Sequence, residues 1–394
     1  MNETANRAFR RTSPARAACK CGVRRKAAMN FCKGMILRAI IICIWFLLVP
    51  PARALSMVPE QYSAPARYGK TLIFSHRTGS ELYAIDAGTK RDVWVWTSGR
   101  RGVRTRPTIS DHVAYIWAGT GINDSRACAV DCRTGKSVWE TPSGGWTFKP
   151  AVVAGKTVLF PVEAKTDEIH AFDHATGKLR WTRKDCKLAL VHGSLIMATA
   201  REDTQVILLD VADGREVFRT KLDDEEYTEP QAACSTDGLA VIGSRNSLLA
   251  LDIPARKVLW RNKAGKGKWV PAINANTLIL LSGYSFPTQR NKGQLLEVRD
   301  LRSGKSGKRI HLKAGIGTYF PALVFSETIV VSSGGFLLGL NATSLKESWR
   351  LQNAEVYQIE QDEDSVFIGG TGPFLWQVEA LTGKRIWNYE ARPK

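Results

Sequence analysis

The chain has 394 residues, 56 Lys and Arg against 37 Asp and Glu, and a formal charge of +19. Apolar residues supply 44%, with 33 Gly and 16 Pro, which excludes a disordered chain, a collagen-like repeat and a multi-span membrane protein and allows a sizeable core. Twelve Trp residues are many for this length, and their spacing is the main regularity in the sequence.

The first feature along the chain is an uninterrupted apolar run, AIIICIWFLLV at 39–49. Its eleven residues fall short of the ~20 that a helix needs to span a bilayer. Ala52-Arg53-Ala54 follows, in the form of a signal-peptidase site. Residues 1–54 are read as a secretory signal peptide with an over-long amino-terminal region. A start at Met29 or Met35 gives an ordinary one. An uncleaved membrane anchor at 39–49 is the alternative. Arg10-Arg11 and Arg24-Arg25-Lys26 stand too far from the run to form a twin-arginine signal. Cys43 lies inside the run, which argues against lipidation at a cleavage point. Residues 1–54 hold eleven basic residues and one acidic one. The remainder, 55–394, keeps 45 against 36, a charge of +9. Its four cysteines, Cys128, Cys132, Cys186 and Cys234, form no CxxC and no zinc pattern.

From residue 65 onward the sequence repeats. The segments LYAIDAGTKRDVW, ACAVDCRTGKSVW, HAFDHATGKLRW, ILLDVADGREVF, LALDIPARKVLW, LGLNATSLKESW and QVEALTGKRIW share an acidic or Asn residue and, eight residues later, an aromatic. The first marker is Asp86, Asp131, Asp173, Asp210, Asp252, Asn341 and Glu379. The second is Trp94, Trp139, Trp181, Phe218, Trp260, Trp349 and Trp387. A degenerate copy, LEVRDLRSGKSGKRI, places Arg299 or Asp300 at the acidic position and Ile310 at the aromatic one. A Pro repeats in the same phase at 65, 107, 150, 230, 271 and 321, with Leu188 and Gln358 in its place twice.

Each of the eight units, about 42 residues long, reads as four short strands. The first starts at the Pro, the third runs into the Asp and the fourth holds the Trp. The D-x-x-T-G-K turn between the last two suits an Asp that accepts backbone N–H groups and a Gly in a left-handed conformation. The fold is therefore all-β, an eight-bladed β-propeller of four-stranded blades occupying 55–394 as a single domain. The stretch Gly283–Gly293 is expected to be a loop between the second and third strands of blade six.

The A-x-D-x-x-T-G-K-x-x-W pattern resembles that of the quinoprotein-type (PQQ-like) eight-bladed propellers, over essentially all of 55–394. It is unlike the Trp-Asp or Gly-Gly signatures of other propellers. The family resemblance implies two branches: PQQ-dependent dehydrogenases, and non-catalytic propellers such as the outer-membrane assembly factor BamB. In the dehydrogenases it implies a quinone between a Trp and a disulfide of adjacent cysteines, a bound Ca²⁺ and an Asp base. Adjacent cysteines are absent from 55–394, and the inter-strand loops are short.

Other chemistry is sparse. His170 and His174 sit on a strand and its turn and do not converge as helical ligands do. They read as ordinary strand and turn residues. Asp223-Asp224-Glu225-Glu226 reads as a solvated acidic loop. A basic residue follows each turn (Arg91, Lys136, Lys178, Arg215, Lys257, Lys305, Lys346 and Lys384) and would ring one face of the disc. The opposite face carries the irregular blade-to-blade loops. Arg104, Trp146, Lys187, Trp269, Tyr319 and Tyr357 are the expected partner-binding residues there, because Arg and large aromatics dominate binding hot spots.

The reading is an exported, monomeric, non-catalytic scaffold that binds protein in the cell envelope, periplasmic or extracellular. It has no cofactor, no metal, no nucleic acid and no transmembrane span after residue 54. A PQQ-dependent or other small-molecule enzyme is the alternative. Amino-terminal sequencing of the exported protein should begin at or near Leu55; a product that retains 39–49 identifies an anchor instead.

Overall fold

The computed structural model describes residues 62–390, apart from 77–78, 100–101, 104, 120, 122, 164, 201–204, 223–230, 245–246, 264–267, 284–293, 313–320, 334–335, 353–355 and 371–373. All of these lie in the unit Pro59–Lys394. The signal segment 1–54, the acidic run 223–226 and the interior of the loop expected in blade six lie outside the described residues. That loop falls between a strand ending at Gly283 and one starting at Gln294.

The described residues form eight four-stranded antiparallel sheets, each in simple sequential order. The blades span 66–97, 108–142, 152–184, 186–221, 231–263, 268–312, 323–352 and 356–390. Second and third strands are almost wholly buried, as in Leu195–Ala200 and Gln205–Asp210 of blade four. Fourth strands alternate between exposed and half-buried residues, as in Leu179–Lys184. That difference follows from position. The middle strands pack against neighbouring blades on both faces and so read as continuous apolar runs. The outermost strand keeps one edge in solvent and reads as an alternation.

Most first strands begin within two residues of the repeated Pro. In blade six the strand Lys268–Asn274 instead starts three residues before Pro271, which lies within it opposite Leu280. An edge strand tolerates a residue without an N–H.

The repeated Asp closes the turn before the fourth strand. Asp86 Oδ1 accepts the amides of Gly88 and Thr89 at 3.1 and 2.7 Å and the Thr89 hydroxyl at 2.9 Å. These bonds, the Thr89 amide first, hold the Asp86 carboxyl below its ordinary range. Asn341 caps blade seven through the Ser344 amide at 2.8 Å. In blade six the cap is Asp300, whose Oδ1 accepts the Ser303 amide at 2.7 Å.

The repeated Trp crosses to the next blade. Trp94 Nε1 donates to the Cys132 carbonyl at 2.9 Å, Trp139 to His174 at 2.9 Å, Trp181 to Val211 at 3.0 Å, Trp260 to Leu301 at 2.9 Å and Trp349 to Ala380 at 2.9 Å. In every case the acceptor is the residue after the turn-capping acid. The indole therefore lands on the neighbour's turn. Trp387 does the same to Ala87 at 2.8 Å, which brings blade eight onto blade one and closes the ring. Arg67 and Asp362 pair across the same seam at 2.8 Å.

The turn glycine is the floor of this dock. A Cβ on Gly135, Gly177, Gly214, Gly304 or Gly383 would stand 2.4–2.7 Å from a ring atom of the preceding blade's Trp or, at Gly304, from Asn262 Nδ2, with the Trp260 ring 2.7 Å away. Each of these glycines also has φ between +67° and +71°. Where the preceding blade offers no indole, the glycine is replaced: Arg256 (φ 53°) faces the Phe218 blade, and Leu345 (φ 60°) faces blade six. Lys90 (φ 58°) is the remaining case; its Nζ sits 5.9 Å from the centroid of the Trp387 ring.

Blade six corrects one expectation. The eighth residue after Asp300 is Lys308, not Ile310. Lys308 Nζ donates to the Thr343 carbonyl of blade seven at 2.7 Å, so an ammonium reaches the neighbouring turn one residue beyond the carbonyl that the indoles use. Ile310 pairs with Leu296 and packs against the core between blades six and seven. The strand register is kept and the residue type changes.

Two substitutions separate docking from turn geometry. Trp181→Ala should destabilise by about 3 kcal/mol, the low end for a large aromatic, because the ring is only half-buried. Gly155 has φ +55° with nothing within 4 Å of an added Cβ, whereas a Cβ on Gly214 (φ +70°) meets Trp181 at 2.7 Å. Gly155→Ala should therefore cost only the left-handed penalty of roughly 1–2 kcal/mol, and Gly214→Ala clearly more. Equal losses in chemical denaturation would show that the dock does not depend on the glycine. The turn carboxyls add a pH dependence. Asp86, Asp131, Asp173 and Asp300 are all held low, so the stability they confer is present above about pH 4 and drains as pH falls further. Asp131→Asn should flatten the acid limb of the stability curve.

Candidate functional site

The turns between first and second and between third and fourth strands lie on one face. The loops between second and third strands and between blades lie on the other. The turn face bears the expected ring of cations, but acids from neighbouring turns stand among them, including Asp111, Asp213, Asp237, Glu327 and Asp364. Arg302 pairs with Asp237 at 2.9 Å and Arg133 with Asp131 at 2.6 Å. The face is of mixed sign, so it does not gather one class of anionic partner.

The loop face differs from blade to blade. The connection into each of the first three blades makes one bridge to the end of that blade's second strand: Tyr62 to His76, Val103 to Ala118 and Trp146 to Glu163. For Trp146 and Glu163 this is a reciprocal pair of backbone bonds at 2.9 and 2.7 Å. The backbone place is the same, but the side chains differ in fate. Tyr62 and Val103 are 5% and 0% exposed, whereas Trp146 is 37% exposed. Its ring stands edge-on to Phe148, centroids 5.0 Å apart, and Phe148 is 42% exposed. A fixed backbone thus holds two large rings in solvent.

Lys187, on the first strand of blade four (Cys186–His192), places Nζ 3.6 Å from Asp167 of blade three. Thr147, Lys149, Asp167, Glu168 and Lys187 surround a narrow cleft of about 10 Å³, room for one water. Beyond it, between blades three and four, opens a cavity of about 390 Å³ lined by Arg183, Lys184, Asp185, Cys186, Ile207 and Arg219. Glu216 bridges the two guanidinium groups, 3.0 Å from Arg183 and 2.6 Å from Arg219. Its carboxyl is held low, first by Arg219. Burial pushes the Cys186 thiol up to about 12, so it is a poor nucleophile.

Among the other expected contacts, Trp269 is placed differently. Trp269 is 3% exposed and packs with Leu239, Val241, Leu278 and Leu280 between blades five and six. Its ring is a plug, not a surface. Tyr357 lies on the first strand of blade eight (Val356–Asp362). Arg104 and Tyr319 lie outside the described residues. Arg106 approaches Glu360 at 3.4 Å. Burial lowers the pKa of this guanidinium and raises that of the carboxyl, the signature of a pair withdrawn from water. Trp146 and Lys187 are therefore the two expected residues that the structure brings to one surface, together with Phe148 and Lys184.

One arrangement had no sequence signature. Ser143 Oγ lies 2.7 Å from His170 Nδ1, and His170 Nε2 lies 2.8 Å from Glu168 Oε2. Glu168 and His170 are two apart on a strand and so share a face. The serine comes from the preceding blade, 27 positions away, and no local motif announces it.

Comparison with known proteins agrees with this architecture. BamB from Moraxella catarrhalis superposes with a TM-score of 0.64 at 14% identity, covering 79% of this chain and 96% of that one. A europium-containing methanol dehydrogenase superposes at 0.57 and 11% identity, covering 77% and 81%. These likenesses are of fold. In sequence, the quinohemoprotein alcohol dehydrogenase ADH IIB of Pseudomonas putida is 26% identical over 152 residues, 35% of this chain; the match spans only 21% of the dehydrogenase. The profile of the family described as outer membrane protein assembly factor BamB matches residues 55–182 and 123–268, more than half of the chain, and the chain belongs to that family.

Proposed function

We propose that this protein is an exported propeller, not a quinone-dependent enzyme, that binds a protein partner in the cell envelope through the loop face of blades two to four. The observation that carries the reading is Trp146. At a place where the neighbouring blades bury Val103 and Tyr62, it and Phe148 present their rings to solvent. Exposed aromatics on a rigid backbone bury large area at little entropic cost, the usual anchor of a protein interface. The cavity between blades three and four on the same face, with Arg183, Lys184 and Arg219 on its wall, supplies polar contacts to the same partner. Membership of the BamB family and the likeness to a BamB structure support the scaffold reading. Export follows from residues 39–54, with the mature chain starting near Leu55. Among the described residues no helix is long and apolar enough to cross a membrane.

The quinone alternative meets an obstacle in the sulfur atoms. Cys128 and Cys132, each 1% exposed, lie inside the core between blades one and two and form no disulfide. Cys132 is pushed up to about 12 by burial. Neither can lie over a ring in the channel. Among the described residues no group of three or more His, Cys, Asp or Glu side chains is placed to hold a metal ion.

Trp146→Ala combined with Phe148→Ala should weaken partner capture in envelope crosslinking by about 30-fold, a hot-spot loss of ~2 kcal/mol, with the melting temperature shifted by no more than about 2 °C. Trp269→Ala should instead lower the melting temperature. Undiminished capture by the double variant would move the interface to another face. Stoichiometric quinone uptake with Ca²⁺, read by absorbance, would replace the scaffold reading.

A further inference from the structure

Ser143, His170 and Glu168 are linked in an order that chemistry fixes. An ionised carboxylate only accepts hydrogen bonds, so the Nε2 facing Glu168 carries the imidazole proton. In the neutral ring Nδ1 then holds a lone pair, and the Ser143 hydroxyl, 2.7 Å away, donates to it. This is the sequence of nucleophile, base and orienting carboxylate that activates a serine. The groups are well held. Ser143 and His170 are each 8% exposed, and the Ser143 amide donates to the Ser125 carbonyl at 3.0 Å.

The residues after Ser143 complete the requirements. Gly144 is exposed, and Gly145 is buried with φ +89°. The two amides follow Ser143 directly along the chain, and neither has a backbone partner among the described residues. An oxyanion needs donors of that kind. Trp146 and Phe148 follow, and their exposed rings give an apolar acyl chain a surface to lie on.

We propose that Ser143, His170 and Glu168 form a hydrolytic site for esters with a small apolar acyl group. Ser143 Oγ attacks the carbonyl carbon as its proton passes to His170 Nδ1. The bond from that carbon to the alcohol oxygen breaks, and the alcohol leaves with the proton from Nδ1. Water then attacks the acyl-serine, giving its proton to Nδ1; the carboxylic acid departs and Ser143 recovers its hydrogen. Ser143 and His170 are catalytic residues, and Glu168 is a positioning residue that fixes the ring. The site shares Trp146 and Phe148 with the docking reading but does not rest on it, since a reactive serine requires no protein partner.

The test uses the full chain, an alkyl fluorophosphonate probe and p-nitrophenyl butyrate. Mass spectrometry of the labelled chain should place the probe on Ser143. Ser143→Ala and His170→Ala should each lower ester hydrolysis by at least about 100-fold, the scale of general-base catalysis. Glu168→Gln should lower kcat with little change in KM. It should also mix the two imidazole tautomers in nitrogen NMR, because an amide can donate as well as accept. Labelling is read on the unaltered chain, so no variant's folding limits the outcome. Absence of the probe from Ser143, or hydrolysis that persists in Ser143→Ala, overturns the proposal and leaves the cluster as a tie between blades two and three.

Discussion

The architecture depends on one contact made around the ring, an indole N–H donated to the first carbonyl of the neighbouring turn. The contact couples two requirements that look independent in sequence. The turn needs a left-handed residue, and the indole packs against that residue. Glycine suits both at Gly135, Gly177, Gly214, Gly304 and Gly383, Arg256 and Leu345 follow blades without a docking indole, and Lys90 alone keeps a side chain beside a docked ring, that of Trp387. Lys308 reaches the next turn with an ammonium instead, at the Thr343 carbonyl one residue further on. Six blades thus share one bond, and blades four and six depart from it.

That bond is why the fold is legible in the sequence. Asp and Trp eight residues apart, repeated with a Pro in phase, specify the turn, the outer strand and the inter-blade contact together. Consistent local and global preferences of this kind single out one architecture. The site is less legible, for a physical reason. Trp146 and Trp269 both precede a first strand's repeated Pro and look alike in sequence, yet one ring enters the gap between blades and the other stays outside. That choice is made by the neighbouring blade's side chains, which a linear reading does not assemble. The serine–histidine contact is hidden more deeply, because it joins two blades and matches no contiguous motif. Its faint trace is the Glu168-Ile169-His170 spacing opposite Ser143-Gly144-Gly145.

Electrostatics divides the two faces. On the turn side each repeat brings its own acid and its own base, so the field cancels within a blade and the face stays bland despite its many cations. On the loop side Arg183 and Arg219 share one acid, Glu216, and line the wall of an open cavity. A partner on the loop face of blades two to four meets rings, guanidinium groups and a recess.

The seam between blades eight and one carries a consequence of a kinetic kind. Trp387 meets Ala87 across 300 positions, and Arg67 meets Asp362 across 295. The other docking contacts can form as soon as two successive blades exist, whereas this one waits for the entire repeat array. Such distant pairing is slow because loop-closure entropy is lost before any contact is gained. A chain made from its amino terminus therefore holds an open arc, with the faces of blades one and eight uncovered, until its final strand arrives. Chaperones and proteases that meet the chain during that interval act on a seam that the finished protein no longer shows.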